Sequence, residues 1–271
     1  MPDIRTNIVG YTSVTVKPNK YVALGLQFEK IEGNQAISVS NLVSRTGLTA
    51  DMGWGSGMDQ IWVMDTKKNE WAFYGYKLEL PWDPESTWQW KKCTDRSGDG
   101  GMGTFTDLTD EDVLVPGDTF LFLHADNGAD ISLSLSGAVK PFTASASYTI
   151  APNKYQFVAY PWPVELNIAD LPNYMTNASA DMSWGSNMEQ IWVMNPDPNA
   201  NEWNFYGYWK EFPWAEESKM MKCTDRSGDG GMGTFVDLTA ADKIPAGQGF
   251  LILHSDNGEN LGINFTYPTE K

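Results

Sequence analysis

One stretch of fourteen residues is written twice, letter for letter: Lys92-Cys93-Thr94-Asp95-Arg96-Ser97-Gly98-Asp99-Gly100-Gly101-Met102-Gly103-Thr104-Phe105 returns as Lys222–Phe235. The likeness spreads outward from it. Ala50–Ser56 answers Ala180–Ser186, Gln60–Met64 answers Gln190–Met194, Asn69–Tyr76 answers Asn201–Tyr208, and Phe120–His124 answers Phe250–His254. Pro18–Tyr21 reappears as Pro152–Tyr155. Two copies are too few to stack as a solenoid. The chain therefore reads as two tandem domains of one kind, residues 1–138 and 139–271, each long enough to bury a core.

Within one copy the periodicity is two. Val14–Val16 and Tyr21–Leu26 read as strands around a Pro-Asn-Lys turn, and Gln60–Met64 and Trp71–Tyr76 as the arms of a hairpin. Thr119–His124 is expected to pair with Ile131–Leu135 across Asp126-Asn127-Gly128, because Asn-Gly between alternating runs favours a tight hairpin. Helical signals are confined to short turns at Ser38–Leu42, Thr109–Asp112 and Asn167–Leu171. The expected fold class is all-β: two tandem homologous β-sandwich-like domains with few short helical turns. At the junction, Ile131–Val139 closes one copy and Pro141–Ile150 opens the next, with no Gly/Ser/Pro linker between them.

Charge narrows the partners. A formal net charge of −16 lacks the basic footprint that nucleic acid requires and is repelled by an anionic membrane surface. It keeps the chain soluble and makes divalent cations natural partners. No apolar run reaches the length of a bilayer span, so membrane insertion is not expected. The start, Met1-Pro2-Asp3-Ile4-Arg5, lacks a basic segment leading into an apolar core; either the protein stays in the cytoplasm or a virion pathway, or, for an extracellular address, a leader was removed before this numbering. Cys93 and Cys223 occupy equivalent positions of tandem units and read as buried thiols, not as a disulfide.

Four constellations bear on chemistry. Asp95-Arg96-Ser97-Gly98-Asp99-Gly100 opens like a calcium loop, with oxygen ligands at alternate positions and Gly at the sixth. The twelfth position, where a bidentate Glu is wanted, holds Thr106 or Val236, and Asp107 and Asp237 follow it. The candidate Ca²⁺ ligands are thus Asp95, Ser97, Asp99 and Asp107, with Asp225, Ser227, Asp229 and Asp237; the competing reading is an Asx-rich turn held by side-chain-to-backbone bonds. No other cofactor is implied. The glycines lack the Lys-Ser/Thr and βαβ setting of a phosphate cradle. Aromatic rows recur, and Trp71, Tyr74, Trp203 and Tyr206 are candidates for a glycan platform or for packing at an interface. His124 and His254, the sole histidines, each end an apolar strand; without a nucleophile elbow they suggest no triad, and the chain reads as non-enzymatic.

The strand–turn pattern around Pro116-Gly117-Asp118-Thr119-Phe120 and Ala246-Gly247-Gln248-Gly249-Phe250 resembles uncharacterised tandem β-repeat domains of bacterial extracellular and surface proteins. That resemblance implies an all-β fold and a surface address, and carries no functional residue. The functional expectation is a structural subunit that assembles with copies of itself into a filament or sheath. Head-to-tail contacts would repeat the internal junction, using strands around Ile8 and Tyr11 at one end and Ile263 and Phe265 at the other. The alternatives are a tandem carbohydrate-binding module and a virion structural protein.

Overall fold

The computed structural model describes residues 9–29, 37–43, 47–65, 70–79, 87–115, 117–126, 128–139, 144–195, 197, 199, 202–227 and 232–267. Nearly all regular structure among them is β, with a single longer helical element, the 3₁₀ segment Ile168–Tyr174. The first repeat supplies β1 (Val9–Val16), β2 (Tyr21–Gly25), β3 (Phe28–Glu29), β4 (Ile37–Ser38), β5 (Gln60–Asp65), β6 (Glu70–Leu78), β7 (Trp88–Asp95), β8 (Thr104–Thr106), β9 (Val113–Leu114), β10 (Thr119–Leu123) and β11 (Ile131–Val139). The second supplies β12 (Ser145–Ile150), β13 (Tyr155–Ala159), β14 (Leu166–Asn167), β15 (Met175–Thr176), β16 (Gln190–Met194), β17 (Trp203–Trp209), β18 (Lys219–Asp225), β19 (Thr234–Val236), β20 (Lys243–Ile244), β21 (Gly249–Leu253) and β22 (Leu261–Thr266).

Equal sequence gives equal topology. A six-stranded antiparallel sheet runs β2-β10-β5-β6-β7-β8 in the first repeat and β13-β21-β16-β17-β18-β19 in the second. Each is faced by a three-stranded sheet, β1-β11-β3 or β12-β22-β15. The third strand differs: β3 pairs with the far end of β11 through Val139, whereas β15 pairs with β22 at Gly262 and Ile263. Between the sheets, alternate residues form one core per repeat. Val22, Leu24, Ile61, Tyr74, Phe120 and Phe122 meet Val16, Ile131, Leu133 and Leu135 in the first. Val158, Ile191, Tyr206, Phe250 and Ile252 meet Ile150, Leu261, Ile263 and Phe265 in the second.

The Asn-Gly hairpin expected between Thr119–His124 and Ile131–Leu135 does not form. β10 lies between β2 and β5 in the large sheet, while β11 lies between β1 and β3 in the small one. The turn between them, whose Asn127 is outside the described residues, carries the chain across the sandwich. The physical reason is burial. Phe120 and Phe122 face the core and Thr119 and Leu121 are buried on the other side, so β10 needs a place covered on both faces. β11 alternates Ile131, Leu133 and Leu135 with exposed Ser132, Ser134 and Ser136, and suits a sheet with one wet face.

The outer face of each large sheet is apolar too, and there the two repeats meet. Ala23, Leu121, Phe157, Met194 and Leu251 form a third cluster, flanked by Trp62, Trp71, Trp192 and Trp203. Equivalent positions lie opposite one another: Gly25 abuts Ala159, Gly249 abuts Thr119, and Leu121 and Leu251 share the cluster. The arrangement is that of an approximate twofold axis. Gly25 N donates to Gly247 O at 3.0 Å, Tyr148 Oη donates to Gly117 O at 3.0 Å, and Gln27 Nε2 donates to Tyr160 O and Trp162 O at 3.1 Å. Burial pushes the Tyr148 phenol up to about 12, so it stays a neutral donor at any ordinary pH.

An added Cβ at Gly249 would overlap Thr119, and one at Gly25 would overlap Ala159. Gly249→Val is therefore expected to cost about 1–3 kcal/mol in urea unfolding by forcing the seam apart, and pairing it with Thr119→Gly is expected to recover much of that loss.

Candidate functional site

Each large sheet carries an aromatic row on its outer face, running from the seam to the duplicated loop. Alternation in Trp71-Ala72-Phe73-Tyr74 sends Trp71 and Phe73 outward and Tyr74 into the core. Trp71 meets Phe157 of the second repeat edge-on at 5.4 Å, and Phe157 meets Trp203 at 6.3 Å. The row continues through Trp62, Phe73, Trp54 and Phe105 at centroid separations of 5.3–6.3 Å. Trp192, Phe205, Trp184 and Phe235 repeat it. Lys77 lies over Phe105 at 4.9 Å, where the second repeat packs Trp209 on Phe235. Trp71 and Trp203 are thus half-buried beside the seam, in contact with other rings.

The duplicated loop closes over the end of this row. It leaves β7 at a bulge between Cys93 and Asp95, and the second copy repeats the bulge between Cys223 and Asp225. Arg96 lays its guanidinium 4.2 Å from the Phe73 ring centre, and Arg226 lies 4.0 Å from Phe205. Trp54 N donates to Met102 O at 2.8 Å, and Gly103 adopts a positive φ with the Trp54 Cβ beside it. Trp184, Met232 and Gly233 repeat the contact. Identity of the two copies is thereby given three physical sources: a bulge, a left-handed glycine and a stacked arginine.

The candidate calcium ligands do not converge. Asp95 Oδ1 accepts from Ser97 N and Ser97 Oγ at 2.8 Å, an Asx turn that holds the Asp95 carboxyl below its usual range; Asp225 and Ser227 do the same. Asp107 is ion-paired to Lys91, four residues along β7 from Asp95, or about 13 Å by strand rise. Asp237 pairs with Lys219. The Asp99 side chain and Asp229 lie outside what is described. Among the described residues no group of three or more His, Cys, Asp or Glu is placed to hold a metal ion. Cys93 and Cys223 are free and buried, each directing its thiol at the carbonyl of the Asp two residues on.

Two buried polar clips stand where sequence reasoning nominated only one member. His124 Nδ1 donates to Asp59 Oδ1 at 2.6 Å and Nε2 donates to Ala129 O at 2.6 Å. Asp59 also accepts from Thr49 N and Ala125 N, at 2.7 and 2.8 Å. In the second repeat Glu189 takes the place of Asp59, receiving His254 Nδ1 at 3.0 Å and Ser179 N at 3.0 Å. Histidine and acid are fully buried in both. Burial opposes charge on His124, but its bonds to Asp59 and to Ala129 O outweigh that and raise its pKa. Each clip fastens the turn that crosses the sandwich to the start of β5 or β16. The second clip pair centres on Asp112, which accepts from Tyr74 Oη at 3.0 Å, Lys92 Nζ at 2.8 Å and Thr109 N at 2.8 Å. Asp242 does so from Tyr206, Lys222 and Thr239. Tyr74 and Tyr206 are thus core tyrosines tied to carboxylates, with their rings turned away from solvent. The signal that could have found the acids is an Asp or Glu directly before the same Gln-Ile-Trp-Val-Met strand in both copies.

The nominated assembly strands divide. Ile263 and Phe265 point into the second core, and β22 is flanked by β12 and β15, so this strand has no free side at Ile263. Ile8 lies outside the described residues. Tyr11 lies on β1, an edge strand, 66% exposed with its hydroxyl on Ser134 Oγ at 3.1 Å. β1 and its counterpart β12 are both edges. Their described stretches, Val9–Val16 and Ser145–Ile150, contain no charge and no proline. Among the described residues neither makes a backbone hydrogen bond on its outer side.

No protein-family model matches this chain, and no curated protein matches it. Among the described residues no helix is long and apolar enough to cross a membrane.

The raised pKa of His124 means that its contribution to stability is complete below about 6.5 and is lost as pH rises through the raised value. Urea midpoints are accordingly expected to fall as pH rises above about 6.5, and His124→Gln to flatten that slope. Asp59→Ala, which strands a buried imidazolium, is expected to cost about 3–5 kcal/mol. Asp95→Ala is expected to lower the melting temperature equally in EDTA and in Ca²⁺, through the lost Asx turn; a loss confined to Ca²⁺ would assign the carboxylate to a metal.

Proposed function

We propose that this protein is a non-catalytic structural subunit that assembles with copies of itself at a cell surface or outside the cell, by strand pairing at β1 and β12. The observation that carries the reading is the chemistry of these two edges. Soluble proteins blunt edge strands with lysine, proline, bulges or a covering loop. In a chain of net charge −16, two edges of eight and six residues carry none of the charges or prolines that do this. Val, Tyr, Thr and Ile, residues that favour extended pairing, make up most of β1 and half of β12. A second copy offering its own β1 or β12 would complete the ladder with main-chain hydrogen bonds.

The growth contact differs from the internal seam. There, equivalent positions of the two repeats face one another, and such a contact closes on itself instead of propagating. Two edges on one chain, by contrast, give each subunit two further links, which is the requirement for a linear polymer; the β1 edge lies along a groove walled by Asn195, Asp197 and Pro245–Gln248 of the second repeat. Net negative charge opposes association, so salt should favour it. Light scattering and negative-stain micrographs are expected to show more polymer at roughly 150 mM than at 10 mM NaCl, as the screening length shortens from about 30 to 8 Å. Thr15→Lys with Thr149→Lys, equivalent exposed positions on the two edges, is expected to abolish polymer without changing the melting temperature. A wild-type chain that stays monomeric at high concentration in salt would refute the reading.

A further inference from the structure

The turn between β17 and β18 holds the most exposed large ring among the described residues. Trp214 is 78% exposed and Phe212 43%. Their rings are stacked with centroids 5.4 Å apart and planes only 4° from parallel. The sequence fixes this presentation. Phe212-Pro213-Trp214-Ala215 is a β-turn closed by Ala215 N donating to Phe212 O at 2.9 Å, with Pro213 at the position where its locked φ suits the turn. Both rings are therefore held before any partner arrives, and binding loses little further freedom. Glu211, Glu216 and Glu217 flank them in sequence, all exposed. Neither core nor seam nor edge strands use this platform.

We infer that the Phe212–Trp214 turn is a binding site for a neutral or amino-sugar glycan. Stacked on Phe212, the Trp214 ring offers its outer side as one flat apolar face, the complement of the C–H face of a pyranose. The glutamates supply acceptors for the hydroxyl or ammonium groups at the edge of that sugar. An anionic glycan is disfavoured by the same carboxylates and by the net charge of −16. A second protein copy is a poorer fit. Two rings offer roughly 300–500 Å², short of the ~1,000 Å² that a specific protein interface needs.

Isothermal titration of the full chain with cellohexaose, chitohexaose, mannohexaose and, as an anionic control, hexagalacturonate tests the site. At least one neutral or amino hexasaccharide is expected to bind and the galacturonate not to. Trp214→Ala is expected to weaken binding about tenfold or more, Trp214→Phe to retain most of it, and Trp88→Ala, exposed elsewhere, to leave it unchanged; all three should melt like wild type. Absence of binding to every neutral and amino probe at millimolar concentration overturns the inference. So does an unchanged affinity in Trp214→Ala, or a loss of self-association in that variant with sugar binding intact. The Thr15→Lys/Thr149→Lys chain is expected to bind sugar normally, so the assembly reading and the glycan site fail separately.

Discussion

A sheet that is apolar on both faces must be covered on both faces, and the rest of this structure follows from that requirement. The six-stranded sheets put Val, Ile, Phe and Tyr inward and Ala, Leu, Trp and Phe outward. The inner face is met by a small three-stranded sheet within each repeat. The outer face is met in two ways. Near β2 and β10 the other repeat covers it. Farther out, the segment around Trp54 and the duplicated Arg96 loop fold back over Phe73 and Phe105. Burial of this second face gives many of the tryptophans their place, and explains why the two repeats need no linker to keep them together.

Polar chemistry is placed where the chain must leave this layered plan. The turn from β10 to β11 crosses from one sheet to the other, and a buried His–carboxylate pair fastens it. The connection leading to β9 carries Asp112, which gathers a tyrosine, a lysine and a threonine. Because a buried charge is tolerated only when fully partnered, each of these clips selects a single path for the chain. Replacement of Asp59 by Glu189 shows that the position of the charge matters more than the length of the side chain that carries it: two bonds from one oxygen become contacts shared between both.

Much of the fold was legible from sequence because its causes are local. The repeat announced two copies of one topology, and alternation located β2, β5, β6, β10 and β11. Short 3₁₀ turns appeared at Val39–Asn41 and Ile168–Tyr174, where turn residues suggested them. What sequence could not supply was partner choice across the chain. Asn-Gly beside two alternating runs signals a hairpin, yet the doubly buried β10 and the singly buried β11 belong in different sheets. Asp59 and His124 lie 65 residues apart, and nothing local links them. For the site, the Asx turn at Asp95 was readable, whereas the distance from Asp95 to Asp107 depends on the β7–β8 register. Tyr74 looked like a platform residue because inward and outward rings alternate in one run, and only the covering sheet decides which is which.

The seam between the repeats is keyed. Gly25 faces Ala159, Thr119 faces Gly249, and Ala23 shares a cluster with Phe157. These are equivalent positions bearing residues of unequal size, a small one on one side opposite a larger one on the other. If first repeats of two chains were to meet across the same surface, Thr119 would collide with Thr119 while Ala23 opposite Ala23 left a void; second repeats would set Phe157 against Phe157. Each half thus recognises the other half and rejects itself. That inequality bars like-with-like pairing at the seam, and the covalent connection between a chain's own two repeats, by raising their effective concentration, favours the match within one chain.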